Sequence, residues 1–354
     1  MTRFENRLHL SGKTATRIYQ AIARIDAVKG QWDIANSLSP QMVERLRTSV
    51  IVTSTGASTR IEGSQLSDQD VKKLFQKQNI KAFKTRDEQE VGGYLEVLKL
   101  VFEQWEDMPF SESTILSLHQ KMLGYSDKDQ RHKGVYKFGS NRVEARDPDG
   151  QLVGVIFDPT PPHLVPKEMS ELLAWTQTEL ATDNFPNLLI ISNFIFEFLA
   201  IHPFQDGNGR MSRILTNLLL LQRGYDFAPF VSHEKIIEDN KADYYVALNT
   251  TQQSWKTETE DLTPWLTFFL DVLNTQSQNA LQLMQEEPID LFLSDMQKQV
   301  WDYITSQDDV SRREVVEATN LNIRTVSHAL RKLVDMNKIE SFGQGKATRY
   351  RLKK

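Results

Sequence analysis

Cysteine is absent from this chain of 354 residues. Its absence excludes disulfides, cysteine-ligated zinc, iron–sulfur clusters and a thiol nucleophile, and it fits a reducing compartment. Long apolar runs are missing as well. The greasiest stretch, Leu188 to Ile201, is too short to span a bilayer and carries Ser192, Asn193 and Glu197; it reads as a buried helix. The opening MTRFENRLHLSG has no apolar core of the kind a secretory signal needs. Internal repeats and low-complexity tracts are lacking. Apolar residues make up 40% and charged residues 25%, an ordinary composition that excludes a disordered or collagen-like chain. The expectation is a cytoplasmic protein with no membrane segment, long enough for two or three domains.

The formal charge of −5 is unevenly spread. From Ser311 to Lys354 there are eleven basic and four acidic residues, so this end carries +7 and the remainder −12. A basic end on an acidic body is an electrostatic footprint for a dedicated partner, nucleic acid among the candidates. A plain solvated surface gives the same count.

Apolar spacing of three and four predicts helices over Thr14–Val28, Ser39–Thr53 and Ser67–Gln78, within a helical region 1–108. A further helix, Ser113–Leu123, opens the region 109–285. GVYKFGSNRVEA and QLVGVIF, separated by Asp147-Pro148-Asp149-Gly150, predict a β-hairpin that the proline-rich run from Asp158 ends. Helices resume over Pro166–Thr178, Leu188–Ile201, Met211–Arg223, Lys241–Gln253 and Leu262–Leu283. Glu286-Glu287-Pro288 marks a boundary. In 286–354, helices Ser294–Thr305, Arg312–Thr319 and Ile323–Val334 precede two short strands, Lys338–Ser341 and Ala347–Leu352. Ser311 and Glu314 have capping-box spacing ahead of the second of these helices. Three helices and a two-stranded ribbon outline a winged helix-turn-helix domain. The fold class expected is mainly α, with a hairpin flap on a helical core.

Chemistry concentrates in His202-Pro203-Phe204-Gln205-Asp206-Gly207-Asn208-Gly209-Arg210, followed by Arg213. A buried helix ends at Ile201, a glycine-flanked loop follows, and a second helix begins at about Gly209–Met211. Backbone N–H groups turned inward at a helix start make an anion cradle. Arg210 and Arg213 share the first turn and can fork onto phosphate oxygens. Asp206 is a hard oxygen ligand suited to Mg²⁺ held jointly with phosphates, and His202 can take a proton near neutral pH. Each piece alone has a bland reading: a structural histidine, a plain turn, a solvated arginine pair. Nine consecutive residues at one junction make the combination specific.

The run resembles the signature of Fic-domain proteins, HPFx[DE]GNGR, at every position, and the resemblance extends over roughly residues 110–275 through His119, the hairpin, the segment PTPPHLVP and Tyr244-Tyr245. It implies a mostly helical protein that transfers AMP from ATP to a hydroxyl of a target protein. By that resemblance His202 would deprotonate the attacking hydroxyl, and Asp206 would hold Mg²⁺ against the α- and β-phosphates. Asn208 with the Gly207 and Gly209 backbone would line the cradle, Arg210 would grip the γ-phosphate, and Arg213 would assist at the β/γ end. Tyr245 and Gln252 are candidates for the adenine pocket, and core packing is the plainer role for Tyr244. Gly209 stands where the kinase-like Doc branch has lysine, which favours nucleotidyl transfer; phosphocholine transfer stays open.

Upstream, Ser58 to Gly63 resembles the [ST]xxxE[GN] inhibitory helix of the same family. The spacing puts Ser58 and Glu62 on one helical face, and Gly63 ends the helix. The expectation is that Glu62 forms a bidentate pair with Arg210 and so occupies the guanidinium that ATP requires. A surface helix end with an incidental glutamate is the plainer reading. In the hairpin, Val153, Gly154 and Val155 either pack on the helices or, as the resemblance implies, offer an edge to a target strand.

The leading expectation is therefore an autoinhibited protein adenylyltransferase using ATP and Mg²⁺, acting on itself and on an unidentified protein, and open to removing AMP with Glu62 positioning water. The alternative is a nucleotide-sensing DNA-binding regulator. Double-stranded DNA is the expected partner of the last domain, read by Asn322, Arg324, Thr325 and His328 and gripped by Lys346, Arg349 and Arg351. Leu330, Leu333 and Val334 would face that domain's core. A homodimer is a further way to hold the inhibitory helix.

Overall fold

Fourteen consecutive residues, Leu188 to Ile201, are buried in the computed structural model, and the larger unit is arranged round the helix they form. The structure describes residues 2–32, 40–76, 83–126, 130–146, 152–182, 184–285, 293–336, 338–343, 345 and 348–353. Two units divide the chain, Met1–Met284 and Gln285–Lys354.

In chain order the helices of the first unit are α1 (Arg3–Asn6), α2 (Gly12–Gln31), α3 (Pro40–Ile61), α4 (Asp68–Gln76), α5 (Arg86–Gln104), α6 (Glu112–Met122), α7 (Val165–Thr182), α8 (Asn187–Ile201), α9 (Asn208–Gln222), α10 (His233–Asp239), α11 (Lys241–Gln252) and α12 (Thr263–Gln285). One core joins them: Phe4, Ile18 and Ile25 belong to the same buried cluster as Leu98, Phe194, Leu218 and Trp265. The apolar helix α8 lies between α7 and α9, which explains why it is hydrophobic all round. Its Glu197 is fully buried and holds the amino terminus, pairing with Arg7 at 2.8 Å and Arg3 at 2.5 Å while Trp255 Nε1 donates at 3.1 Å. Burial pushes the Glu197 carboxyl up, but Arg7 and Arg3 outweigh it and hold it below the usual range.

The flap is an antiparallel hairpin of β1 (Val143–Arg146) and β2 (Leu152–Phe157), with Val155 opposite Glu144 and Gly154 opposite Ala145. The expected turn at Asp147–Gly150 lies outside the described residues. Residues 134–142, read from sequence as the start of the first strand, are irregular. Their donors go to the neighbouring loop instead of a ladder, as set out below.

The second unit runs α13 (Asp295–Thr305), β3 (Val310–Ser311), α14 (Arg312–Thr319), α15 (Ile323–Asp335), β4 (Ile339–Phe342) and β5 (Arg349–Leu352). The sheet has three strands, in the order β3-β5-β4, not the two expected; a two-residue strand is too short to leave an alternation in sequence. Ser311 and Glu314 form the expected capping box, and Ser294 with Gln297 forms another. Val326, Ala329, Leu330 and Leu333 bury one face of α15 against Val300, Ile304 and Val315, with Val334 at the edge of the cluster.

Candidate active site

α8 ends where its apolar run ends. His202 follows in the left-handed region, at φ 53° and ψ 61°, with its amide still bonded to Phe198 O at 2.9 Å. A residue bearing a Cβ adopts that conformation at a cost of about 1–2 kcal/mol, so surrounding contacts must hold it there. The half-buried ring has Nδ1 3.2 Å from Leu199 O. A carbonyl only accepts, so Nδ1 carries the proton and Nε2 keeps its lone pair. Burial pushes the imidazole down to about 4; Lys137 acts in the same sense, while the Leu199 carbonyl, Glu62 and Asp206 oppose it. At neutral pH His202 is an uncharged proton acceptor.

The loop after His202 is closed by its own side chains. Asn208 Oδ1 accepts from Phe204 N–H at 2.9 Å and its Nδ2 donates to Phe204 O at 2.8 Å. The buried Asn208 amide is thus a clasp, and only its backbone remains for a cradle. His119 stacks on Phe204 with ring centroids 3.7 Å apart, its Nδ1 accepts from Gly134 N–H, and its Nε2 donates to Asp206 O at 3.0 Å. This is a structural histidine. α9 starts at Asn208, one to three residues earlier than the Gly209–Met211 expected, and Met211 N–H bonds back to Gly207 O at 2.8 Å. The amides ahead of it have no intrahelical acceptor and lie at the positive end of the helix dipole.

Asp206 Oδ1 accepts from Gly207 N–H at 2.6 Å and from Arg210 Nη2 at 3.1 Å, and Oδ2 lies 3.5 Å from Arg86 Nη2. Burial pushes this carboxyl up, but Arg210, the Gly207 amide and Arg86 hold it below the usual range. Arg210 is 2% exposed and its Nη1 donates to Glu90 Oε2 at 3.0 Å. Arg86 Nε donates to the other oxygen of Glu90 at 2.6 Å. Arg86, Glu90, Arg210 and Asp206 therefore close an ionic ring between α5 and the loop.

The partner of Glu62 is Arg213, which corrects the expected pair with Arg210. Arg213 Nη2 donates to Glu62 Oε1 at 2.7 Å and to Ser58 O at 3.0 Å, and its Nε donates to Ser58 Oγ at 2.7 Å. The reason is angular: Arg213 faces α3 from one turn farther along α9, whereas Arg210 is drawn the other way by Glu90 and Asp206. Burial lowers the Arg213 guanidinium pKa, but Glu62 more than compensates and the group stays charged. α3 ends in a Schellman arrangement, with Gly63 at φ 104°, Gly63 N–H on Arg60 O and Ser64 N–H on Thr59 O. That turn aims Glu62 at α9. Gly209 faces it so closely that an added Cβ would come within 2.2 Å of Glu62 Oε1.

A buried carboxylate seats α3 on the rest. Glu234 accepts from Ser54 Oγ at 2.7 Å, Ser232 Oγ at 3.1 Å, Tyr94 OH at 3.0 Å and Asn217 Nδ2 at 2.8 Å.

The adenine candidates are less sharply defined. Tyr245 is 38% exposed, and burial with Glu62 nearby raises its hydroxyl pKa. Tyr244 packs on Tyr245, Trp265 and Phe268 in the core, but its hydroxyl also senses Arg213 and Glu62. Gln252 is the last residue of α11. In β2, Val153, Gly154 and Val155 lie on a strand paired only with β1 among the described residues, which leaves its other edge open. Sequence reasoning missed Glu90, Arg86, Glu234, Lys137 and Asn141. The one local signal was Lys137, a lone cation between Tyr136 and Phe138; the others have no marking spacing.

Residues 109–220 match the Fic/DOC family. A probable protein adenylyltransferase of Aquifex aeolicus is 36% identical over 92 residues, 26% of this chain and 28% of that protein. The protein adenylyltransferase fic-1 of Caenorhabditis elegans is 25% identical over 180 residues, 47% of this chain and 30% of that one. The chain thus spans about a third or less of those curated relatives. A crystal structure of a Fic family protein from Desulfovibrio desulfuricans superposes over 98% of this chain and 97% of that one, with a TM-score of 0.63 and 24% identity. Fic-1 from Caenorhabditis elegans does so over 77% and 74%, with a TM-score of 0.60 and 18% identity. These likenesses concern the fold, but the match over the loop residues concerns the site as well. Residues 109–220, with the whole run from His202 to Arg213, are a domain of the Fic/DOC family.

Proposed function

We propose that this protein is an adenylyltransferase that moves AMP from ATP to a hydroxyl of a protein, and that it is inhibited by its own Glu62. The observation that carries the reading is a lone pair on neutral His202 beside a helix start whose two buried guanidiniums still have unpartnered donors, Arg210 Nε and Arg213 Nη1. Buried donors without acceptors are costly, and a triphosphate would satisfy both. In the reaction the target oxygen forms a bond to the α-phosphorus, the bond to the α–β bridging oxygen breaks, pyrophosphate leaves, and the hydroxyl proton passes to His202 Nε2.

Asp206 suits Mg²⁺: its carboxyl is held ionised by Arg210, the side chain is 36% exposed, and Oδ2 has a long contact of 3.5 Å with Arg86. No cluster of three or more metal-ligating side chains occurs among the described residues, so the ion would share Asp206 with phosphate oxygens and water, as Mg²⁺ commonly does. It would supply charge neutralisation on the phosphates. Glu62 competes with phosphate for Arg213, which relocates the expected inhibition by one helical turn without changing its logic. The open edge of β2 supports docking of a target strand at Val153–Val155 through backbone hydrogen bonds.

The second unit has the element order of a winged helix-turn-helix, with α15 in the place of a recognition helix, and we assign it duplex DNA as partner. Arg324 and His328 are exposed on α15. Asn322 is spent on capping, its Oδ1 accepting from Thr325 N–H at 2.9 Å. Arg349 is paired with Asp309 and Glu314, and Arg351 with Glu340 at 2.6 Å; Lys346 lies outside the described residues.

The test of the main reading is incubation of the Glu62→Gly protein with labelled ATP, Mg²⁺ and a cell lysate. Labelled AMP on this chain or another protein is the expected result. Labelling from the γ-phosphate instead would identify a kinase, and no label from either position would overturn the assignment.

A further inference from the structure

Four consecutive carbonyls lead through the turn at His202, and two residues satisfy all of them. Lys137 Nζ donates to Ile201 O at 3.2 Å, and the Lys137 N–H donates to Pro203 O at 2.8 Å. Asn141 Nδ2 donates to His202 O at 3.2 Å and to Phe204 O at 2.7 Å. The two side chains hold each other, since Lys137 Nζ also donates to Asn141 Oδ1 at 2.7 Å. Gly139, between them, gives its N–H to Gln205 Oε1 at 3.3 Å. Lys137 is 4% exposed, an uncommon place for an ammonium that has no carboxylate within salt-bridge distance among the described residues. Two residues past Asn141 the chain enters β1 of the flap.

A residue kept in the left-handed region without being glycine persists only where its surroundings over-determine it, and here nearly every constraint on the carbonyl side comes from this one segment. We propose that Lys137 and Asn141 form a clamp that holds the backbone turn at His202, aims Nε2 into the site and ties that aim to the flap. They are positioning residues, and the inference rests on reading His202 as the proton acceptor and the flap as the docking edge.

Charge adds to geometry. The Lys137 ammonium disfavours protonation of His202, against Glu62 and Asp206, which favour it. Around Lys137 itself, burial pushes the amine down to about 8; Asp158 and Glu168 oppose that and Lys256 adds to it. Removing the cation should therefore let the imidazole titrate at higher pH, whereas removing Asn141 should disturb the aim of the ring without that shift.

The experiment uses the full chain in the Glu62→Gly background, with Lys137→Met, Lys137→Arg and Asn141→Ala. Two quantities are read: the titration of the His202 imidazole by NMR, and kcat against KM for ATP in self-modification. Lys137→Met is expected to raise the imidazole pKa by roughly one unit and to lower kcat at pH 7 by about tenfold or more, with KM changed by less than about twofold. Lys137→Arg should recover most of both. Asn141→Ala should lower kcat and leave the titration in place. An unmoved titration in Lys137→Met, or an arginine no better than methionine, overturns the clamp. If the background protein transfers no AMP, the adenylyl-transfer reading fails, while the NMR titration still decides the clamp. Should Lys137→Met not fold, Lys137→Gln carries the same titration test, because it keeps a donor and loses the charge.

Discussion

At the scale of single residues, the decisive fact is the protonation state of His202. A neutral ring with Nδ1–H on Leu199 O presents Nε2 as base. His202→Ala should lower AMP transfer by a factor on the order of 10²–10⁴ while ATP binding, which depends on the amides and arginines, stays within about twofold by calorimetry. Wild-type turnover in that variant would sink the role. In the proposed reaction the same ring would set the acid limb of activity. Only the neutral imidazole accepts a proton, so kcat/KM should stay level as pH falls from 7 to 5 and drop as pH passes through about 4. An ordinary histidine would place that fall near 6.5, and a limb measured there would contradict the buried environment. Glu62→Gly acts on the neighbouring guanidinium. It removes the acceptor on Arg213 Nη2, so ATP affinity and self-modification should both rise, by about tenfold, which corresponds to about 1.4 kcal/mol. Arg210 keeps Glu90 and Asp206 in that variant, so an effect as large from Glu90→Gln alone would mean that the competition is on Arg210 instead.

At the scale of elements, the proposed inhibition would depend on how α3 is seated. Its Ser54 and Ser58 face Glu234 and Arg213 in the interior, one turn apart. Glu234→Ala would take the acceptor from the hydroxyls of Ser232 and Tyr94 and leave the Asn217 amide only its long contact to Arg213 O at 3.4 Å, while Ser54 Oγ keeps Ser232 Oγ at 2.8 Å. With about 1–3 kcal/mol for each buried group left unsatisfied, a loss of about 3 kcal/mol or more is expected in thermal or denaturant unfolding. A change under about 1 kcal/mol would mean that the network is not rigid. Gly209→Ala tests the same seat from the other side. Its Cβ would meet the free end of the Glu62 side chain, so the carboxylate should swing off Arg213 and self-modification should rise toward the Glu62→Gly level; activity no higher than wild type would show that the pair survives.

At the scale of the whole molecule, positive charge gathers at one end of the second unit: residues 311–354 carry +7, whereas 285–310 carry −6. Arg349 and Arg351 spend their charge inside that unit, so α15 and the remaining exposed cations would carry most of any phosphate contact. Full-length protein should bind random duplexes at low salt, with log affinity falling linearly against log salt. Arg324→Ala should weaken it more than Arg351→Ala. Fluorescence anisotropy decides; no binding at 50 mM salt would make the second unit a protein-contact module.

Local order and chemistry were legible in the linear chain, because both live in short-range patterns. The helix at Leu188–Ile201, the capping box at Ser311 and Glu314, the Gly63 stop and the run His202–Arg210 all follow from spacings of four residues or fewer. The largely apolar α8 announced its own burial. Tertiary structure decided whatever depends on which side of a helix meets which neighbour. Glu62 reaches Arg213 and not Arg210 because α9 turns that face toward α3, and the three-residue offset between the arginines could not reveal it. The sequence also marked Asn208 as part of a cradle, whereas the fold spends its amide on Phe204. Glu90, Glu234, Lys137 and Asn141 reach the site from 17 to 180 positions away from their partners there or nearby; apart from the hint at Lys137, such contacts have no local period to betray them. Side-chain chemistry was written in the chain, and its pairing came from packing.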